Sequence, residues 1–139
     1  MSVAVVYWSG TGNTEAMANA VCDGIREKGG TAELFEAENF SADKVAGYDA
    51  FAFGCSAMGA EELEDTIFAP MFDAVEGSLN GKNVALFGSY GWGDGEWMRN
   101  WEDRCKNGGM NLVCESVICC EAPDDEATAN CKKLGAALC

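Results

Sequence analysis

The sequence contains no histidine and only two prolines. Without histidine, a mixed Cys/His metal site is excluded. With so few prolines, disordered Pro-rich linkers are excluded too. Bases are scarce: nine Lys and Arg stand against 23 Asp and Glu, a net charge of −14. Nucleic acid and anionic membranes are therefore excluded as partners. No apolar run approaches bilayer length. Met1–Val5 shows neither a basic n-region nor a signal-length apolar segment, so the expectation is an intracellular, cytoplasmic protein.

The acids are clustered. Residues 61–76 hold six and no base, and residues 115–126 hold five and no base. Such a surface favours solubility, and it also steers basic partners. Eight cysteines occur, none in C-x-x-C spacing, so neither a zinc site nor an iron–sulfur site is expected. Most fall on apolar stripes, where a thiol packs as a small hydrophobe.

At 139 residues the chain is read as one domain, residues 1–139. Five segments read as strands: Ser2–Tyr7, Thr31–Phe35, Ala50–Gly54, Asn83–Gly88 and Leu112–Ile118. The first, third and fourth are apolar on both faces, as in central parallel strands covered from two sides. The second alternates more and belongs near an edge. Helical stripes lie between them: Met17–Ile25, Ile67–Val75, Trp97–Cys105 and Ala127–Leu138, the last opened by Asp124 as N-cap. Pro70 puts the start of the second helix, or a kink in it, at that residue. A short helical turn is expected around Asp43–Ala46. Strand–helix alternation with right-handed crossovers predicts an α/β three-layer sandwich. Its five-stranded parallel sheet has the order 2-1-3-4-5, with helices on both faces. Ligands bind such sheets at the carboxyl ends of the strands, at the switch point between strands one and three.

Three loops follow the central strands. The first is Ser9, Gly10, Thr11, Gly12, Asn13 and Thr14. It leads from an apolar strand into a helix, as a phosphate loop does. No Lys or Arg occurs before Arg26. A nucleoside-triphosphate loop needs a lysine on the transferred phosphate, so phosphoryl transfer is excluded. The dinucleotide fingerprint fails as well, because Glu15 stands where its third glycine belongs. What remains is a phosphate that is held but not transferred, anchored by neutral donors. In the third loop, Ser89, Tyr90, Gly91, Trp92 and Gly93, a large aromatic is flanked by glycines. That placement suits stacking on a planar ligand better than core packing. Tyr90 is a second aromatic for the same role. The middle loop carries Ser56, Ala57, Met58, Gly59, Ala60 and Glu61. Met58 is a soft apolar group suited to the other face of the same ring. The three loops together describe a slot, with phosphate at one end and a flat ring at the other.

The segments "YWSGTGNTEAMAN", "CSAMGAEELED", "ALFGSYGWGDGEWM" and "EAPDDEA" resemble the short-chain flavodoxins of anaerobic bacteria, over nearly the whole chain. The resemblance implies a non-enzymatic electron carrier of low potential with non-covalently bound FMN. It would shuttle between the neutral semiquinone and the hydroquinone. Ser9 to Thr14 and Ser56 would hold the phosphate. Met58 and Trp92 would flank the isoalloxazine, and Glu61 would accept from flavin N3–H. The backbone around Ser89–Gly93 would contact the ring and the ribityl chain. The Gly59 carbonyl would swing to meet N5–H, with Ala60 standing where relatives often carry Asp or Asn. Glu121 would stand near the pyrimidine end. The implied partners are larger redox enzymes with basic docking patches, met by a monomer. A small FMN-dependent reductase is the alternative reading. No arginine cluster is present for a nicotinamide 2′-phosphate. A signalling receiver of the same fold is excluded, because Ser9-Gly10 and Cys55-Ser56 stand where it needs acids.

Overall fold

A computed structural model describes residues 1–58 and 62–139 of the chain. Three strands run through its middle: β1 (Ser2–Trp8), β3 (Ala50–Cys55) and β4 (Asn83–Tyr90). Val3–Tyr7 of β1, all of β3 and Val84–Ser89 of β4 are buried. Side chains alternate across the sheet. Val3, Val5 and Tyr7 enter one core layer, while Ala4 and Val6 enter the other. The first layer is closed by α1 (Asn13–Glu27) and α4 (Asp125–Ala137). The second is closed by α2 (Phe68–Glu76) and α3 (Glu96–Asn107). β2 (Thr31–Glu36) is a largely exposed edge strand. A 3-10 turn over Ala42–Gly47 occupies the expected helical position, and a second, over Ala37–Asn39, was not anticipated.

The sheet is parallel with the order β2-β1-β3-β4, and its fifth position is filled by two short pieces. These are β5 (Asn111–Leu112) and β6 (Val117–Cys120), both paired with β4. The expected continuous strand Leu112–Ile118 is therefore interrupted. Val84 faces Leu112 and Phe87 faces Val117, so five steps on the outer strand match three on β4. The excursion takes Glu115 outward, and Ser116 Oγ donates to Glu102 on α3 at 2.7 Å. Two adjacent polar residues break the period-2 pattern. An outer strand absorbs such a break because it has a partner on one side only.

The second helix begins at Phe68, two residues before Pro70, rather than at Pro70. The cause is Glu64. Its carboxylate accepts from the Ile67 and Phe68 N–H groups at 2.7 and 2.8 Å, which fixes the start upstream. Pro70 then sits in the first turn, where its missing N–H removes no intrahelical bond. Asp124 caps α4 as expected, its side chain accepting from Ala127 N at 2.8 Å.

The layer of α1 and α4 is unusually close. A Cβ on Gly24 would fall 2.0 Å from the Lys132 carbonyl oxygen, and one on Gly135 2.2 Å from that of Val21. Backbone meets backbone here, and only glycine permits it. All eight cysteines are free thiols; Cys22, Cys55, Cys105 and Cys131 are buried in the core layers.

Candidate functional site

Parallel pairing brings the carboxyl ends of β1, β3 and β4 to one edge, with Trp8 facing Cys55 and Gly54 facing Phe87. The described parts of the three loops predicted to converge do so, and polar bonds join them. Thr14 Oγ1 lies 2.7 Å from Ser56 Oγ. Ser89 N–H donates to Thr14 Oγ1 at 3.3 Å, and Ala57 N–H donates to the Ser89 carbonyl at 3.0 Å. Thr14 is fully buried and Ser89 nearly so, which shields these bonds from water.

Between the loops lies a cleft of about 480 Å³. Gly10, Thr11 and Asn13 line it from the first loop, and Ser56, Ala57 and Met58 from the second. Ser89, Tyr90 and Gly91 line it from the third. Trp8 and Glu121 complete the wall, and no Lys or Arg is among the described lining residues.

The head of the cleft is built for an anion. Gly12, at φ 91°, is the N-cap of α1 and offers no side chain to cap it. Ser9 Oγ instead accepts from Gly12 N–H at 3.0 Å, which tightens the loop. Among the described residues, the first amides of α1 have no side-chain acceptor, at the positive end of the helix dipole. Beneath the loop, Tyr7 donates to Glu15 at 3.0 Å. Burial, then the Glu15 hydrogen bond and charge, then Glu36, push the Tyr7 hydroxyl up to about 12. It stays a neutral donor at physiological pH.

Away from that loop, the lining includes Met58 and Tyr90. Met58 is 42% exposed, and Tyr90 packs on Trp97 with ring centroids 5.5 Å apart. Met58 pairs with Glu62 by backbone bonds of 2.8 and 2.9 Å. Trp92 is 64% exposed and lies outside the lining, as does Gly93, which has φ 87°. Gly59, Ala60 and Glu61 lie outside the described residues, and with them the expectations for the Gly59 carbonyl and the Glu61 carboxylate.

Sequence reasoning missed Trp8. It ends β1, and a Cβ on Gly10 would fall 3.0 Å from its Cη2 atom, so the ring lies over the first loop. An aromatic at a strand's carboxyl end, one residue before the loop, was the available signal. Glu121 stands in the cleft wall; its backbone, at φ 60°, is left-handed, which residue type alone does not announce.

Neutral donors at a helix N-terminus fit a phosphate, and the Met58–Tyr90 end fits a planar ring. A parallel sheet of this strand order with a cleft at its switch point defines the doubly wound class of open α/β proteins, whose ligands bind at that edge. Within that class the chain belongs to the flavodoxin family, whose sequence pattern matches residues 5–135. It is 45% identical over 135 residues to the flavodoxin of Megasphaera elsdenii, covering 97% of this chain and 96% of that one. It is 44% identical over 131 residues to the flavodoxin of Clostridium beijerinckii, covering 94% of each. The solution structure of two-electron-reduced Megasphaera elsdenii flavodoxin superposes with a TM-score of 0.90 at 46% identity, over 98% of this chain and 97% of that one. Among the described residues, no helix is long and apolar enough to cross a membrane.

Proposed function

We propose that residues 1–139 form a single FMN-binding domain that carries electrons one at a time at low potential, cycling between the one- and two-electron-reduced forms. The observation that carries this is the cleft itself: three loops locked together around an uncapped helix N-terminus, with no base among the described lining residues. When bound, FMN supplies the redox chemistry; the protein supplies binding, orientation and electrostatics.

Ser9 to Thr14 and the Ser56 hydroxyl hold the phosphate in this reading. Met58 and Trp92 flank the ring, with Tyr90 beside them, and the Ser89–Gly93 backbone contacts the ring and the ribityl chain. The roles of the Gly59 carbonyl toward N5–H and of Glu61 toward N3–H rest on the family resemblance. A neutral cradle binds the phosphate through dipoles and brings no cation to the ring. Negative charge arriving in the cleft therefore meets Glu121 and the phosphate without compensation, which lowers the potential of the second electron. The exposed acids Glu62, Asp65 and those of residues 115–126 suit brief, salt-sensitive docking to basic patches on larger redox enzymes by a cytoplasmic monomer.

The test is a dithionite titration of the purified, FMN-loaded protein followed by its visible spectrum and potential. Two separate one-electron steps are expected, the second more negative than that of free FMN. A single two-electron step, or a second couple no more negative than free FMN, overturns the low-potential carrier. Rapid oxidation of NAD(P)H by the protein alone would favour the reductase instead.

A further inference from the structure

Glu121 is the non-glycine residue with positive φ among the described residues, at 60°. It follows β6 directly and lines the cleft. Side chains rarely adopt this conformation, and where one does, the surroundings must hold it. Here both sides of the residue are held. Glu121 N–H donates to the Tyr90 carbonyl at 2.7 Å. Its own carbonyl accepts the Ser89 hydroxyl at 2.6 Å and the Cys119 thiol at 3.4 Å.

Neither donor is free to wander. Ser89 is 4% exposed, and its N–H is spent on Thr14 Oγ1 of the first loop. Cys119 sits on β6, its sulfur also 3.5 Å from Met17 Sδ on α1. The thiol has one proton, and a carbonyl oxygen is a better acceptor than a thioether. Burial raises the Cys119 pKa, and Asp124 and Cys120 add to this while the Ser89 hydrogen bond opposes it. The thiol is thus kept in the protonated form that can donate.

We propose that Ser89 and Cys119 are positioning residues that clamp the Glu121 peptide in its left-handed conformation and so fix one wall of the cofactor cleft. The consequence for FMN affinity rests on the cofactor reading above; the clamp itself does not. Through Thr14, the same Ser89 ties this wall to the loop at the phosphate end. A loss at either donor should therefore be felt as a looser wall, before any loss of the fold.

The experiment compares wild type, Ser89→Ala/Cys119→Ala, Cys119→Ala and Cys119→Ser. In the cofactor-free protein, amide exchange at Glu121 should quicken about tenfold in the double variant and stay near wild type in Cys119→Ser, whose hydroxyl still donates. In FMN titrations the double variant should bind about tenfold more weakly. That penalty should shrink when Glu121→Gly is added, since glycine adopts positive φ without a clamp. Unchanged exchange, or a penalty undiminished in the glycine background, overturns the clamp. A wild-type protein that binds no FMN sinks the cofactor reading, and the exchange measurement then decides the clamp alone. Should the double variant not fold, Cys119→Ala against Cys119→Ser decides by the same exchange measurement.

Discussion

Thr14 Oγ1 and Ser56 Oγ lie 2.7 Å apart although 42 residues separate them in sequence. One comes from the start of α1 and the other from the end of β3, and Ser89 of β4 closes the link by donating its N–H to Thr14. The two hydroxyls should therefore respond differently to removal. Thr14→Val leaves a buried Ser89 N–H without its acceptor and should cost about 1–3 kcal/mol of stability. Ser56→Ala leaves that bond intact and should cost less in stability. Both should weaken FMN binding about tenfold. Urea unfolding and flavin titration check this; equal stability losses would show that the Ser89–Thr14 bond carries no weight.

Glu64 gives the fold an acid-sensitive joint. Burial alone would raise its carboxyl. The Thr66 hydroxyl and the N–H groups of Phe68, Ile67 and Thr66 outweigh burial and hold it below its ordinary value. The folded pKa is thus below the unfolded one. Its contribution is present above the unfolded carboxylate value and is lost as pH falls through the folded one. Glu64→Gln should destabilise by about 1 kcal/mol at neutral pH. The gap from wild type should narrow in acid. A pH-independent gap in urea midpoints would contradict this.

The α1–α4 contact should be intolerant of a single methyl group. At Gly135 a Cβ would meet the Val21 carbonyl oxygen at 2.2 Å, and backbone does not yield as a side chain does. Gly135→Ala should destabilise by about 1–3 kcal/mol, from overpacking. Gly77→Ala is the control, because nothing lies within 4 Å of a Cβ there and φ is −66°. Similar unfolding midpoints for the two variants would show that the helices re-space at no cost.

Trp92 stands 64% exposed beside the cleft. If it stacks on bound flavin, Trp92→Ala should weaken FMN binding about tenfold and release flavin fluorescence. Loss of the indole should barely change the stability of the cofactor-free protein, since so little of it is buried. Unchanged affinity and quenching would leave the ring to Tyr90 and Met58.

Much of this was legible in the chain alone. Doubly apolar β1, β3 and β4, helical stripes between them, and Gly12 before a helix determined which strands are central, which stretches cover them and which loop opens the candidate site. The absence of Lys and Arg before Arg26 determined that the first loop carries no positive side chain. These are local properties of period and composition. What tertiary structure decided is of another kind. Ser89 bonds Thr14 across 75 residues, Gly135 meets Val21, and Trp8 covers Gly10. The fifth strand splits where Ser116 turns out of the sheet to meet Glu102 on α3. Glu121 holds a conformation its residue type disfavours, because Ser89, Tyr90 and Cys119 converge on it. Periodicity reports which side of an element is buried; only the packed chain decides which distant groups meet there.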